Sequence, residues 1–580
     1  MSQNEDISAR WTRWMNRLYA RGSAYARPAT GFVSQPEPRT IGAFARGKQL
    51  MAGNFLFAGS LVADTSHSIW QIQKPDTVFE EEIHGFIWLD DLAAVGDLAA
   101  RQKAQAWLTE WIELCGRGKG AGWTPDLTGR RLIRWINHAI FLLNGQPGEV
   151  SNAYFATMAQ QTIFLSKRWK SASAGLPRFE ALTGLIYAGL ALTGMDRHVE
   201  PALRALALEC REQIDDEGGI PTRNPEDLLE VFTLLNWAAS ALSEAGKMAA
   251  RDHLLAIERI APTLRALRHC DGGLARFHGG GRGVEGRLDH ALATSGIKSA
   301  APQGLSMGFA RLHGGRTSVI IDAAVPPQGK ASFNGHASTL AFELTSGRRP
   351  LIVNCGSGIS FGPEWRRAGR ATPSHSTLSL DGVSSSRLGR KGFVGGHERD
   401  LLTGTPVDVR VQFLFEDGGQ GIVAGHDGYL TSHGLTHIRQ IEMTANGRGI
   451  VGEETLAAIE EADEAVFDKK LDKSALQGIG FKIRFHLHPD VDAQLDMGGA
   501  AVSLALKSGE IWVFRHDGQR KMTIEPSVYL EKGRLKPRAT KQIVLSSAAL
   551  EYATRIRWSL SKAQFTPDTV RDLERDDTGT

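Results

Sequence analysis

Residues 481–488 read Phe-Lys-Ile-Arg-Phe-His-Leu-His, with an apolar side chain at every second position. Successive side chains of a β-strand point to opposite faces, so the four apolar residues would share one face of a strand. Residues 407–415 repeat this alternation. The same pattern indicates further strands at Thr317–Ala323, Thr339–Leu344, Leu351–Asn354, Ile511–Arg515 and Gln542–Leu545. Many short strands without helices between them favour an antiparallel sandwich or barrel.

The spacing of the apolar residues is different in the N-terminal half of the sequence, where it is helical rather than alternating. From Ile7 to about His290 the apolar residues recur at helical spacing, and the clearest run ends at Gly246. That run contains Leu228, Val231, Phe232, Leu235, Ala238 and Leu242. Short connections between amphipathic helices predict antiparallel neighbours. We therefore predict a helical domain over residues 1–300, a β domain over 301–562 and a disordered polar tail over 563–580.

The composition is that of an ordinary globular protein, with 42% hydrophobic and 23% charged residues in 580. The net charge of +3 is not gathered into a basic stripe, so no nucleic-acid partner is expected. No apolar run is long enough to span a bilayer, and the N-terminus lacks the apolar core of a secretory signal. The four cysteines lack the spacing of a zinc ribbon.

Three polar segments lie close together in the β half: 332–344 (Ser-Phe-Asn-Gly-His-Ala-Ser-Thr-Leu-Ala-Phe-Glu-Leu), 349–356 (Arg-Pro-Leu-Ile-Val-Asn-Cys-Gly) and 371–382 (Ala-Thr-Pro-Ser-His-Ser-Thr-Leu-Ser-Leu-Asp-Gly). Their order resembles the β-domain signature of the heparinase II/III family of polysaccharide lyases. The resemblance implies an N-terminal (α/α) toroid followed by a C-terminal antiparallel β-sandwich. It also implies a location in the cell envelope or periplasm, although the cytoplasm stays open because no signal peptide is visible.

The resemblance further implies a zinc site. In relatives two histidines and an aspartate can surround zinc, and the matching residues here are His336, Asn354 and His375. A neutral amide oxygen is a poorer zinc ligand than a carboxylate. Zinc is therefore a possible cofactor, and the alternative is a pair of hydrogen-bonded histidines that brace the strand ends.

Family lyases cleave uronate-containing polysaccharides by β-elimination, which requires the carboxylate to be neutralised and a proton to be moved. We expect His336 or Tyr429 to move the proton and Arg223 to neutralise the carboxylate. Further substrate contacts are expected from Arg178, Asn224, Arg366 and Arg370. Leu176 and Pro177 stand where the family has Asn-His, and Asp227 or Leu228 where it has tyrosine. Alternatively, residues 223–225 have a structural role and cap a helix.

The partner implied by the resemblance is an acidic polysaccharide. Two other functions stay open. One is a non-catalytic protein of envelope biosynthesis that binds an acidic glycan. The other is a glycoside hydrolase, in which Glu180 and Asp227 would form the carboxylate pair. The Gly-rich loop Asp271–Asp289 is expected to border the cleft between the two halves.

Overall fold

A computed structural model describes residues 7–34, 38–416, 418–474, 477–517 and 521–563. The predicted tail, residues 563–580, lies outside the described residues except for Ala563. No helix in the described ranges combines the length and the apolar character needed to cross a membrane.

The first half is helical, as its 3.6-residue period predicts. Its helices are α1 (Ile7–Ser23), α2 (Phe44–Met51), α3 (Thr77–His84), α4 (Ile87–Val95), α5 (Leu98–Cys115), α6 (Pro125–Asn137), α7 (Ala139–Leu143), α8 (Gly148–Arg168), α9 (Leu176–Ala191), α10 (Val199–Gln213), α11 (Pro225–Glu244), α12 (Arg251–Ala266) and α13 (Arg287–Ser295). Helix α9 packs against α6, α10 and α11, and α12 packs against α10 and α11. These helices form the toroid that the resemblance implied.

A small hairpin interrupts the helical half. Strands β1 (Asn54–Phe57) and β2 (Ser60–Ala63) pair antiparallel between α2 and α3. Strands of four residues are too short for their period to be read against a helical background, so the sequence did not predict them.

The second half consists almost entirely of strands. These are β3 (Leu305–Ser306), β4 (Phe309–Gly314), β5 (Thr317–Asp322), β6 (Phe342–Ser346), β7 (Arg349–Val353), β8 (Leu378–Leu380), β9 (Arg387–Val394), β10 (His397–Thr403), β11 (Val409–Glu416), β12 (Gly419–Tyr429), β13 (Leu435–Thr444), β14 (Gly449–Ala457), β15 (Ile479–Leu487), β16 (Asp492–Asp496), β17 (Ala501–Ala505), β18 (Ile511–His516), β19 (Lys521–Tyr529), β20 (Arg538–Ala549) and β21 (Ala553–Lys562). Short helices α14 (Pro363–Gly369), α15 (Leu430–His433) and α16 (Glu461–Lys473) lie between them.

Two large antiparallel sheets form a sandwich rather than a closed barrel. One has the strand order β11-β12-β13-β14-β21-β18-β17-β16, and the other runs β19-β20-β15-β7-β6-β5-β4-β3 with β8 beside β15. The core between them contains the inward residues of both sheets, among them Ile441, Phe342, Phe485 and Trp558. The alternation that predicted strand 481–488 thus records one buried face of β15.

Strand β15 positions the polar segments recognised in the sequence. It pairs with β20 along one edge and with β7 and β8 along the other. His486 is opposite Val353, the last residue of β7. Asn354 follows β7 directly, so the end of β7 brings it to the same region as the loops that carry His336 and His375.

Candidate functional site

Two histidines predicted from the sequence meet at the ends of the β-strands. His336 Nδ1 lies 3.0 Å from His375 Nε2, and His375 Nδ1 lies 2.9 Å from the carbonyl oxygen of Ala371. Because a carbonyl only accepts, His375 Nδ1 carries the proton and donates it, which leaves His375 Nε2 to accept from His336 Nδ1. Burial lowers the pKa of His375 to about 4. Burial and the neighbouring His375 hold the pKa of His336 well below its ordinary value, so both rings are neutral at pH 7.

A third histidine, not singled out in the sequence, joins this pair. The backbone N–H of His336 donates to His278 Nδ1 at 3.1 Å, and His278 Nε2 lies 3.4 Å from an oxygen of Asp322. His278 belongs to the Gly-rich loop 271–289 and has a left-handed backbone, with φ of 48°. The sequence predicts that this loop borders the cleft, but it does not predict the contact between His278 and His336, which is a contact across 58 residues of sequence.

Arg223 lies on the other side of Asp322 and links the helical half to the β half. Its Nη2 is 2.7 Å from Asp322 Oδ1, and Ser338 Oγ donates to the second carboxylate oxygen at 2.6 Å. Burial acts to raise the pKa of Asp322, but Arg223, His278 and Ser338 together outweigh this and keep the carboxyl ionised, with the positive charge of Arg223 contributing most. The cluster therefore runs from Arg223 through Asp322 and His278 to His336 and His375, and we call it the interface cluster.

The donors of Arg223 are all occupied within the protein. Besides Asp322, they bond to four carbonyl oxygens of the β half, those of Met307, Gly308, Ala324 and Val325. A guanidinium has five N–H donors, so none is left for a substrate carboxylate. Its neighbour Asn224 caps α11, since its Oδ1 accepts from the backbone of Glu226 at 3.0 Å. The helix-cap alternative thus describes Asn224.

The other residues predicted in the helical half are also engaged. Arg178 Nη1 lies 2.9 Å from Glu209 Oε2, and its Nη2 donates to the carbonyl of Ala172. Within the part of the chain that the structure describes, no hydrogen bond or ion pair joins Arg178 to the interface cluster. Glu180 forms a two-pronged ion pair with Arg130, at 2.8 and 2.7 Å.

Asp227, the second carboxylate proposed for a hydrolase, is half-buried. Burial raises its pKa to about 7, against the opposing effect of Lys532. Its partner in that hypothesis, Glu180, is held by Arg130, and the two carboxylates have separate sets of contacts.

Arg366 and Arg370 hold the loop that carries His336. Arg370 donates to the carbonyls of Gly335, Ser332 and Asp400 at 2.7 to 2.9 Å. Arg366 Nη2 donates to the carbonyl of Phe333 and to the side chain of Asn334. The two arginines expected to contact a substrate therefore brace residues 332–336, and Arg370 is only 3% exposed.

Tyr429 lies deep in the sandwich. Its side chain is completely buried, and its hydroxyl donates to the carbonyl of Leu378 at 3.1 Å. Burial raises its pKa above the ordinary value. A buried phenol with an internal acceptor is not available to contact a polysaccharide.

The three residues expected around zinc do not present a zinc ligand set. Asn354 Oδ1 already accepts from the backbone N–H of Ser376 at 3.0 Å, and the two histidines bond to each other. Zinc needs each ligand to direct a free lone pair at the ion. Across the described ranges, no group of three or more histidine, cysteine, aspartate or glutamate side chains is placed to hold a metal ion. Asn354 Nδ2 is buried and makes no hydrogen bond with any described residue.

A second buried chain of polar side chains lies inside the sandwich. His426 Nε2 is 3.2 Å from His437 Nδ1, and His437 Nε2 is 2.8 Å from Glu454, which also pairs with Arg439 at 2.7 Å. Arg439 donates in turn to the carbonyls of Ser376 and Leu340, which lie in the loops just before β8 and β6 of the opposite sheet. This chain therefore ties one sheet to the loops that lead into the strands of the other.

The comparisons with known proteins agree with this architecture. Residues 297–559 match the family model described as heparinase II/III-like, C-terminal. Among solved structures, heparinase III is 13% identical with a TM-score of 0.66, covering 96% of this chain and 90% of that one. Heparan sulfate lyase HepC from Pedobacter heparinus is 14% identical with a TM-score of 0.54, covering 98% and 91%. At these identities the likeness shows the fold alone.

A curated protein matches almost the whole chain. FtsZ-localized protein C of Caulobacter vibrioides is 29% identical over 556 residues, which cover 93% of this chain and 92% of that protein. The match therefore includes the helical half as well as the β half.

Proposed function

We propose that this chain, whose residues 297–559 form a heparinase II/III-like C-terminal domain, has the fold of a polysaccharide lyase but does not cleave polysaccharides. One observation carries the proposal. The groups that should neutralise a uronate and move its proton are buried and bonded within the protein. Arg223 is the clearest case, since its five donors already have five acceptors.

The chemistry of β-elimination explains why this matters. A lyase lowers its barrier by presenting preorganised charge to the carboxylate as negative charge develops on it. A guanidinium that is already paired with Asp322 would have to break that buried pair before it could serve, and breaking such a pair costs about 3–5 kcal/mol. The interface cluster is better suited to joining the two halves rigidly.

We further propose that the chain acts where FtsZ is found, as the name of its Caulobacter relative says of that protein. The support is the length of the match, which includes both halves. This replaces the cell envelope or periplasm as the proposed location. The test is a fluorescent fusion at the chromosomal locus, imaged together with FtsZ, and co-sedimentation of the purified chain with FtsZ polymers. Diffuse fluorescence and no co-sedimentation would refute the localisation.

A second candidate function is binding of an acidic glycan without cleavage. The observation that favours it is the buried amide Nδ2 of Asn354, which has no hydrogen-bond partner among the described residues and lies beside the His336–His375 pair. Asn354 is only 2% exposed, so a carboxylate or sulfate oxygen could accept from this donor only once the residues that cover it move apart. Retention on heparan sulfate or alginate resin that is lost in Asn354→Leu, with no unsaturated product from the wild type, would support this function. Equal retention of both proteins would count against it.

A further inference from the structure

The N-terminal helix α1 turns its apolar side chains away from the protein. Ile7, Trp11, Trp14 and Leu18 are 84%, 61%, 52% and 51% exposed. Their spacing of four, three and four residues places them on one face of a helix. The rings of Trp11 and Trp14 stack with centroids 5.0 Å apart. The result is a continuous apolar stripe open to solvent.

The opposite face of α1, which packs on the protein, is mostly polar or small, and Tyr19 at its edge is partly buried against the core of the helical half. The buried residues of α1 are Asn16, Ala20 and Ser23. Asn16 accepts a hydrogen bond from Arg168 at 2.8 Å, and Gln160 at the centre of α8 donates to the carbonyl of Ala20 at 3.0 Å. A helix that only stabilised the fold would bury its apolar stripe. In α1 the apolar stripe faces solvent instead of the core, which points to a contact outside this chain.

The charge around the stripe has one sign. Residues 7–27 contain five arginines and no acidic residue, which is +5, whereas the whole chain has 67 basic and 64 acidic residues, which is +3. Glu5 and Asp6 precede the helix. At 100° per residue, Arg17 and Arg21 lie along one flank of the apolar stripe. Their long side chains can extend past the stripe toward negative charge while their stems cover apolar surface.

From this pattern we infer that α1 lies in the surface of an anionic lipid membrane. An apolar stripe with tryptophan, flanked by arginine and free of acidic residues, is the composition of an interfacial helix. Tryptophan side chains favour the level of the lipid headgroups. The stripe has only four large apolar residues, whereas a stable protein interface uses about 20–30 residues on each side. These observations favour a lipid surface over a second copy of this chain or another protein.

The test uses the full chain and vesicles of phosphatidylcholine with an equal part of phosphatidylglycerol. Wild type is expected to co-sediment with these vesicles, and Trp11→Ser/Trp14→Ser is expected to lower the partition coefficient about tenfold or more. Val407→Ser/Phe415→Ser is the matched control, because both residues are exposed apolar side chains of the β half. It should bind as the wild type does. Pure phosphatidylcholine vesicles and high salt should both weaken binding.

A second measurement places the tryptophans. Lipids brominated near the headgroup should quench the fluorescence that is present in the wild type and missing from the double variant. The inference is overturned if the wild type does not sediment with anionic vesicles, or if the double variant binds equally well. It is also overturned if the wild type forms dimers that Trp11→Ser/Trp14→Ser disperses, since the stripe would then bind a second copy. Both variants change exposed residues, and circular dichroism checks that each is folded.

Discussion

Replacing Arg223 with methionine is expected to destabilise the chain by about 3–5 kcal/mol at pH 7. Asp322 is completely buried, and Arg223 is its positively charged partner at 2.7 Å. Methionine fills much of the same space but leaves an unpaired carboxylate in the protein interior. The four carbonyl oxygens bonded to Arg223 also lose this donor. The size of the effect thus comes mainly from the stranded charge.

Two further properties of the Arg223→Met variant follow from the unpaired charge of Asp322. Adding Asp322→Asn should recover part of the loss, because it removes the unpaired charge. Lowering the pH should also narrow the gap between variant and wild type. In the wild type Arg223 is the largest of the contacts that hold the pKa of Asp322 below its ordinary value, and without it the variant's Asp322 has a higher pKa, because burial is then opposed only by His278 and Ser338. The variant can then bind a proton as the pH falls from 7 toward ~4 and so relieve the penalty.

Urea denaturation followed by far-ultraviolet circular dichroism and tryptophan fluorescence measures these differences, with the first transition compared if the halves unfold separately. Arg204→Met is the control, since Arg204 pairs with Glu200 on the exposed surface and should matter by less than ~1 kcal/mol. The reasoning is refuted if Arg223→Met lies within ~1 kcal/mol of the wild type. It is refuted equally if Asp322→Asn is as costly in the variant as in the wild type.

Three further predictions concern the same region. Burial lowers the pKa of His375 to about 4 and that of His486 to about 3. Below about pH 6.5 the unfolded chain therefore binds more protons than the folded chain. The free energy of unfolding should fall by about 2 kcal/mol for each ring as the pH drops from 7 to 5. His486→Gln should flatten this dependence in urea titrations at the two pH values, and an unchanged slope would contradict the assignment. Asn354→Asp supplies a carboxylate beside the two histidines, so zinc should raise the melting temperature of this variant. Zinc should leave the melting temperature of the wild type unchanged. An equal rise in both proteins would show that the amide does not prevent zinc binding. Asn224→Ala should lower the free energy of unfolding by about 1 kcal/mol, because the cap of α11 is lost. Asn224→Asp should keep most of the stability, because aspartate also caps helices. Equal losses in the two variants would argue against capping.

Much of the fold could be predicted from periodicity. The alternation at residues 481–488 corresponds to β15, and the helical run from Leu228 to Leu242 lies within α11. Both segments are long and bury one face, so the burial pattern is written directly into the sequence. The hairpin β1–β2 was not predicted, because a strand of four residues is too short to show a clear alternation.

The candidate site was predictable only in part. His336 and His375 were found because they stand in recognisable segments, and they do contact each other. His278 and Asp322 were missed because their importance depends on contacts across 44 to 58 residues of sequence, which no local pattern records. Residue type also cannot say whether an arginine is free, and Arg223 could be interpreted correctly only after its acceptors were known.

The central claim is that this lyase fold does not perform β-elimination. The most direct measurement follows the ultraviolet absorbance of unsaturated uronate while the purified chain is incubated with heparan sulfate, chondroitin sulfate and alginate, with heparinase III as the positive control. We predict no product from any of the three polymers, with or without added zinc. Product that accumulates with wild type and disappears with His336→Ala would contradict the claim and establish the chain as a lyase.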